Sequence, residues 1–119
     1  MNATANHHNW KTFLKLFNEQ NKWRPTRLGI LEKNFAGVTT DSWIENGLPL
    51  SGIDLDFVDK KTPTIEILLG DAEKPDSRHL THIVSKVRII KIILSVSGAM
   101  DGLEIEDDEG KTTMLHFES

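Results

Sequence analysis

The chain of 119 residues contains no cysteine and no tyrosine. Without cysteine there are no disulfides, thiolate nucleophiles, iron–sulfur clusters or cysteine zinc sites. With tryptophan only at positions 10, 23 and 43, no aromatic-plus-basic pattern suits the stacking of single-stranded nucleic acid bases. No apolar run approaches the roughly 20 residues of a membrane-crossing helix. The opening MNATANHHNWK has no basic stretch followed by an apolar one, so no export signal is expected and a cytoplasmic location fits. A glycine-rich phosphate loop, a nucleophile elbow and the HExxH pattern are also missing. No catalytic residue, cofactor, metal or membrane partner is therefore expected.

What is present describes an ordinary folded domain. Apolar residues make up 38% and charged residues 27%, enough for one core at this length. Residues 1–8 carry no periodic signal and are expected to fray; 9–119 read as a single α+β domain. The net charge of −4 disfavours nucleic acid as a partner. The charges segregate, however. From Arg78 to Lys91 there are basic residues and no acid, whereas from Asp101 onward there are seven acids against Lys111 alone. Two neighbouring strands with complementary outward charge explain this; a polarised surface for a partner is the alternative.

Trp10, Phe13, Leu14 and Phe17 are spaced as one stripe of an amphipathic helix. Asn9 is the expected N-cap, and Pro25 ends the helix near residues 21–23. Strand patterns follow. In 26–33 Leu28 and Ile30 share a face, and Gly29 marks a bulge or a close approach of the helix. Residues 42–50 read as strand, Asn46–Gly47 turn and strand. In 52–57 Ile53, Leu55 and Phe57 alternate with Asp54 and Asp56, and in 64–70 Ile65, Ile67 and Leu69 face one way and Glu66 and Leu68 the other. The most apolar stretch is 86–95, KVRIIKIILS. Strict alternation puts Val87, Ile89 and Ile93 on one face and Ile90, Ile92 and Leu94 on the other, so both faces need cover. Residues 103–107 and 112–117 form a hairpin. The connections are too short for helical crossovers. The expected fold is an N-terminal helix followed by a mostly antiparallel, strongly bent sheet or small open barrel of five to seven strands.

Candidate site residues are few. His79 and His82 fall on opposite faces of a strand, and His7–His8 lie in the frayed start. Asp54, Asp56 and Asp59 resemble the opening of a calcium loop, but its required glycine and glutamate positions hold Asp59 and Ile65. Asp107, Asp108 and Glu109 read as a solvated turn. The side chains best placed to line a ligand pocket inside the sheet are Glu32, Glu45, Glu66, His82 and His116. A solvated strand face or structural histidine is the competing account of each.

Five phrases, RPTRLGILE (24–32), WIENGLPLSGIDLDF (43–57), PTIEILLG (63–70), HLTHIVSKV (79–87) and DGLEIEDDEGKTTMLHFE (101–118), resemble a family of small bacterial proteins known only as a domain of unknown function. The resemblance implies a bacterial, intracellular protein and no mechanism. The expected function is thus a non-enzymatic binding or regulatory module, with a homodimer as candidate assembly through Arg88, Ile90, Ile92 and Leu94. The alternative is an enzyme or small-molecule binder using the carboxylate and histidine pocket.

Overall fold

A computed structural model describes residues 2–4, 9–33, 39–56, 63–70 and 78–118. His7–His8, Asp59 and the connections at 34–38, 57–62 and 71–77 lie outside these. The described elements are β1 (Asn2–Thr4), α1 (Trp10–Asn21), β2 (Pro25–Lys33), β3 (Thr39–Asp56), β4 (Thr64–Leu69), β5 (Leu80–Val84), β6 (Val87–Leu94), β7 (Met100–Asp107) and β8 (Thr112–Phe117). They form one antiparallel sheet in the order β1-β6-β7-β8-β2-β3-β4-β5. β1 falls within the stretch that lacks a periodic signal; three residues are too few to show one. Without it the count is seven, the top of the expected range. The sheet does not close, since β1 and β5 are its ends. Among the described residues no helix is long and apolar enough to cross a membrane.

α1 ends at Asn21, four residues before Pro25, as that proline requires. Asn9 makes no side-chain cap, contrary to expectation. Trp10, Leu14 and Phe17 are buried, and Phe13 packs against the same core. Leu16 and Trp23, off the stripe, are exposed. The core also takes Leu28 of β2, Ile53 of β3, Ile65, Ile67 and Leu69 of β4, Val84 of β5, Leu103 and Ile105 of β7 and Leu115 of β8. Full burial of such a side chain contributes about 1.5–3 kcal/mol.

The helix is also held by polar bonds. Asn18 donates from Nδ2 to the carbonyl of Ile53 at 2.8 Å, and its Oδ1 accepts the Ile53 N–H at 2.8 Å. One amide thus replaces a neighbouring strand at that point. The linker after α1 does the same one step earlier: Trp23 N–H donates to the Leu50 carbonyl and Leu50 N–H to the Arg24 carbonyl.

The expected hairpin at Asn46–Gly47 is instead part of the continuous strand β3. Gly47 has φ +101°, and the β2–β3 register slips between the Arg27–Asn46 and Pro25–Pro49 pairs. A G1-type bulge and a type I′ hairpin turn both call for a residue with positive φ, so the dipeptide signals either. Beyond this bulge β3 leaves β2 and pairs with β4.

β6 also departs from strict alternation. A register shift between Val87 and Ile89 places Arg88 at a bulge and brings Val87 and Ile90 into the core together. Ile90 is fully buried, so it is unavailable to a partner, and β6 is paired on both sides, by β1 and β7. Arg88 is exposed and lies 4.0 Å from Glu106, while Lys91 stands opposite Glu104. The basic and acidic stretches therefore face one another across adjacent strands.

Replacing Asn18 with Ala removes both bonds to Ile53 and leaves that backbone without its partner. The expected loss is about 1–3 kcal/mol, read as a lower urea midpoint at unchanged slope.

Candidate functional site

The five expected ligand residues do not converge. Glu45 is held by Arg78, whose Nη2 lies 2.9 Å from its Oε1. Glu66 stands opposite Asp54 on β3 and Ile83 on β5, on the face away from buried Ile65 and Ile67. Glu32 lies 3.5 Å from the Lys111 ammonium at the sheet rim. His82 and His116 occupy different places again.

His82 lies in a cleft of about 360 Å³ between β5 and the β7–β8 turn, with Ile30, Val84, Lys86, Asp107, Lys111 and Thr113 among its walls. Burial, and secondarily the Lys111 charge, hold its pKa below the ordinary value of 6.5. Its imidazole ring makes no hydrogen bond among the described residues, so no acid orients it as a base. Asp107 is buried rather than a solvated turn residue. Its Oδ1 accepts the N–H groups of Glu109 at 2.9 Å and Lys111 at 3.0 Å, which accounts for it as the clamp of that turn. Among the described residues no group of three histidines or acids is placed to hold a metal ion.

The second place is on the opposite face of the sheet, where α1 does not pack. Two strand glycines form notches there. A Cβ on Gly29 would lie 2.7 Å from Cε3 of Trp43, so the indole rests on bare backbone, 39% exposed. A Cβ on Gly102 would lie 3.1 Å from the His116 ring and closer still to the β8 backbone. Arg27 and His116 are directly opposite on β2 and β8. The Arg27 guanidinium carbon stands 4.1 Å from the Trp43 ring centroid, and the His116 ring meets Trp43 edge-on at 5.7 Å. Met114, opposite Gly29, is buried on this face.

Arg27 Nε and His116 Nε2 are both buried without a hydrogen-bond partner, and Arg27 forms no ion pair among the described residues. Among the described residues this half-buried arginine stacks on an aromatic face without an acceptor, and its fork of N–H donors has the geometry that fits a carboxylate or phosphate. Of this cluster only His116 was a candidate from the sequence. Gly29 and Gly102, glycines inside strands, were the available signal, but they do not say which ring lies over them.

No family model, curated protein or solved structure matches the chain, so its function is argued from geometry.

Two outcomes follow from these contacts. Gly29→Ala drives a methyl into the Trp43 ring and is expected to destabilise by about 1–3 kcal/mol. In a Trp43→Ala background it costs less, which a double-mutant cycle reads as coupling. For His82, the unfolded chain takes up the proton near 6.5 and the folded chain only at lower pH. The unfolded state thus binds more protons just below 6.5, and stability falls as pH drops through that value, levelling below the folded pKa. Urea midpoints against pH are expected to show this slope, and His82→Gln to flatten it.

Proposed function

We propose that the chain is a non-enzymatic binding module whose working surface is the outer face of the sheet at Arg27, Trp43 and His116, and that it takes an oxyanion group, carboxylate or phosphate, on Arg27. In this reading an amphipathic α1 closes the core face, and the sheet bends strongly where β3 changes partners. That leaves the outer face of β2, β3, β7 and β8 as the platform. The observation that carries the reading is the Arg27 guanidinium, stacked on Trp43 with its buried Nε unsatisfied.

The energetics favour a ligand here. An unsatisfied buried donor costs roughly 1–3 kcal/mol, and a cation–π contact returns about 0.5–2. Nε itself has no solvent-facing surface, so an incoming oxyanion bonds the Nη groups of the fork, which the stack holds in place. Arginine and tryptophan are also the residue types that dominate binding hot spots, in part because little side-chain entropy remains to be lost. Enzymatic use of the His82 cleft lacks comparable support, since among the described residues no acid bonds the His82 ring and Asp107 of its wall is committed to the backbone.

Titration with acetate and, separately, inorganic phosphate, followed by NMR of the arginine Nε–H and tryptophan indole N–H signals, tests the site. The expected result is a saturable shift of Arg27 and Trp43 with a millimolar Kd for at least one anion, about 4 kcal/mol of binding. The preferred anion identifies the source of the group. Arg27→Gln is expected to abolish the Trp43 shift; a Trp43 shift that survives it, or no shift with either anion, overturns the proposal.

A further inference from the structure

We propose that β5 is a self-association edge, and that two copies of this chain pair antiparallel through Leu80–Val84 about a twofold axis at His82. This surface is separate from the Arg27 cluster and does not depend on it.

β5 is the last strand in the sheet order, and among the described residues it pairs with β4 alone. Sheet edges are commonly guarded by lysine, proline or a bulge. β5, LTHIV, has none of these: no lysine or proline in its sequence and no register shift in its pairing. Its Ile83 side chain is 59% exposed.

The hydrogen-bonding direction of this edge follows from contacts across the sheet. Asn18 takes both backbone groups of Ile53, so those groups point away from β4. In an antiparallel ladder the bonding direction alternates along each strand. Ile67, opposite Ile53, therefore turns its groups toward β5, where it meets His82. Leu50 gives the same answer: its backbone groups go to the α1 linker, so its partner Leu69 points to Leu80. Leu80, His82 and Val84 thus bond to β4, while Thr81 and Ile83 present N–H and C=O to the open side.

A second copy fits this edge better than an arbitrary strand because LTHIV complements itself about its centre. Centring the axis on His82 sets Thr81 against Ile83 of the second copy, and each such pair exchanges two hydrogen bonds. On the core-facing side Leu80 meets Val84 of the second copy, apolar against apolar. On the other side Thr81 covers the exposed Ile83. His82 meets its own copy at the axis, which is tolerable when both rings are neutral. The charged groups around His82 are Lys86 beyond the end of β5, and Asp107, Asp108, Glu109 and Lys111 of the β7–β8 turn; β4 presents Ile67. Protonation would set two like charges opposite each other near Lys111, so the pairing weakens at the pH, lower than the ordinary 6.5, where the folded ring takes up its proton.

One short strand from each copy buries far less than the roughly 1,200–2,000 Å² of stable complexes, so the expected dimer is weak. Sedimentation velocity on the full chain from about 10 µM to about 1 mM is expected to show a concentration-dependent shift from monomer to dimer, with a Kd in the high-micromolar range. Amide exchange gives a second readout. At low concentration Leu80, His82 and Val84 are protected and Thr81 and Ile83 are not; at high concentration Thr81 and Ile83 gain protection. Thr81→Pro removes a donor from the open side, where an edge strand accommodates proline, and Ile83→Lys puts a charge there. Each is expected to weaken association at least tenfold with an unchanged urea midpoint. A monomer throughout the range, a dimer that both variants leave intact, or protection gained elsewhere instead overturns the proposal.

Discussion

One strand serves two halves of the sheet. The first part of β3 is a neighbour of β2 and the last part is a neighbour of β4. At the changeover β3 would show an unpaired edge to the core side of the molecule, and a buried unpaired backbone costs as much as a lost hydrogen bond. The segment before β2 resolves this. The α1 linker bonds Leu50, and the Asn18 amide bonds Ile53. The helix is therefore a substitute strand as well as a hydrophobic lid, and its position along the sheet is set by hydrogen bonds more sharply than non-directional apolar contacts set it.

The two faces of the sheet are built on different rules. The core face is filled by branched aliphatic side chains and the aromatic stripe of α1. On the outer face, glycines at 29 and 102 let the rings of Trp43 and His116 lie against the backbone. Arg27 then stacks on the indole. Further along the same face Lys91 stands opposite Glu104 and Arg88 near Glu106. Basic β6 and acidic β7 thus largely answer each other's charge within the chain, at the small energies typical of exposed pairs. Arg27 is different because, among the described residues, no acid answers it.

How far the sequence can be read follows from which signals are local. Period-two alternation located β4, β7 and β8, and the 3.6-residue stripe located α1, because burial on one face imposes those periods directly. Failures arose where one extra residue shifts a register. Asn46–Gly47 meets the conformational demand of a turn and of a bulge equally, and only the neighbouring strand shows which was used. At Arg88 a bulge moved Ile90 from the face assigned to it by alternation into the core with Val87. Asp107 looked like a turn acid until its carboxylate was seen to accept two backbone N–H groups. The Arg27–Trp43–His116 cluster joins positions 16 and 73 residues apart along the chain (43 − 27 and 116 − 43), which meet only through the β8-β2-β3 order. No local pattern encodes such a meeting.

That order also bears on the choice between catalysis and binding. Acid–base chemistry needs groups whose environments drive their pKa values apart while they share a reacting atom. Here the sheet separates them: Glu66 lies on one face, His82 in a cleft by the other, and Glu45 is tied to Arg78. What the same strands bring together is an unpaired guanidinium, an indole platform and an imidazole nitrogen without a partner. Such groups suit the orientation and holding of an anion, as proposed above, and among them is no nucleophile or oriented base. The mutual placement of side chains, more than their inventory, therefore favours recognition over turnover.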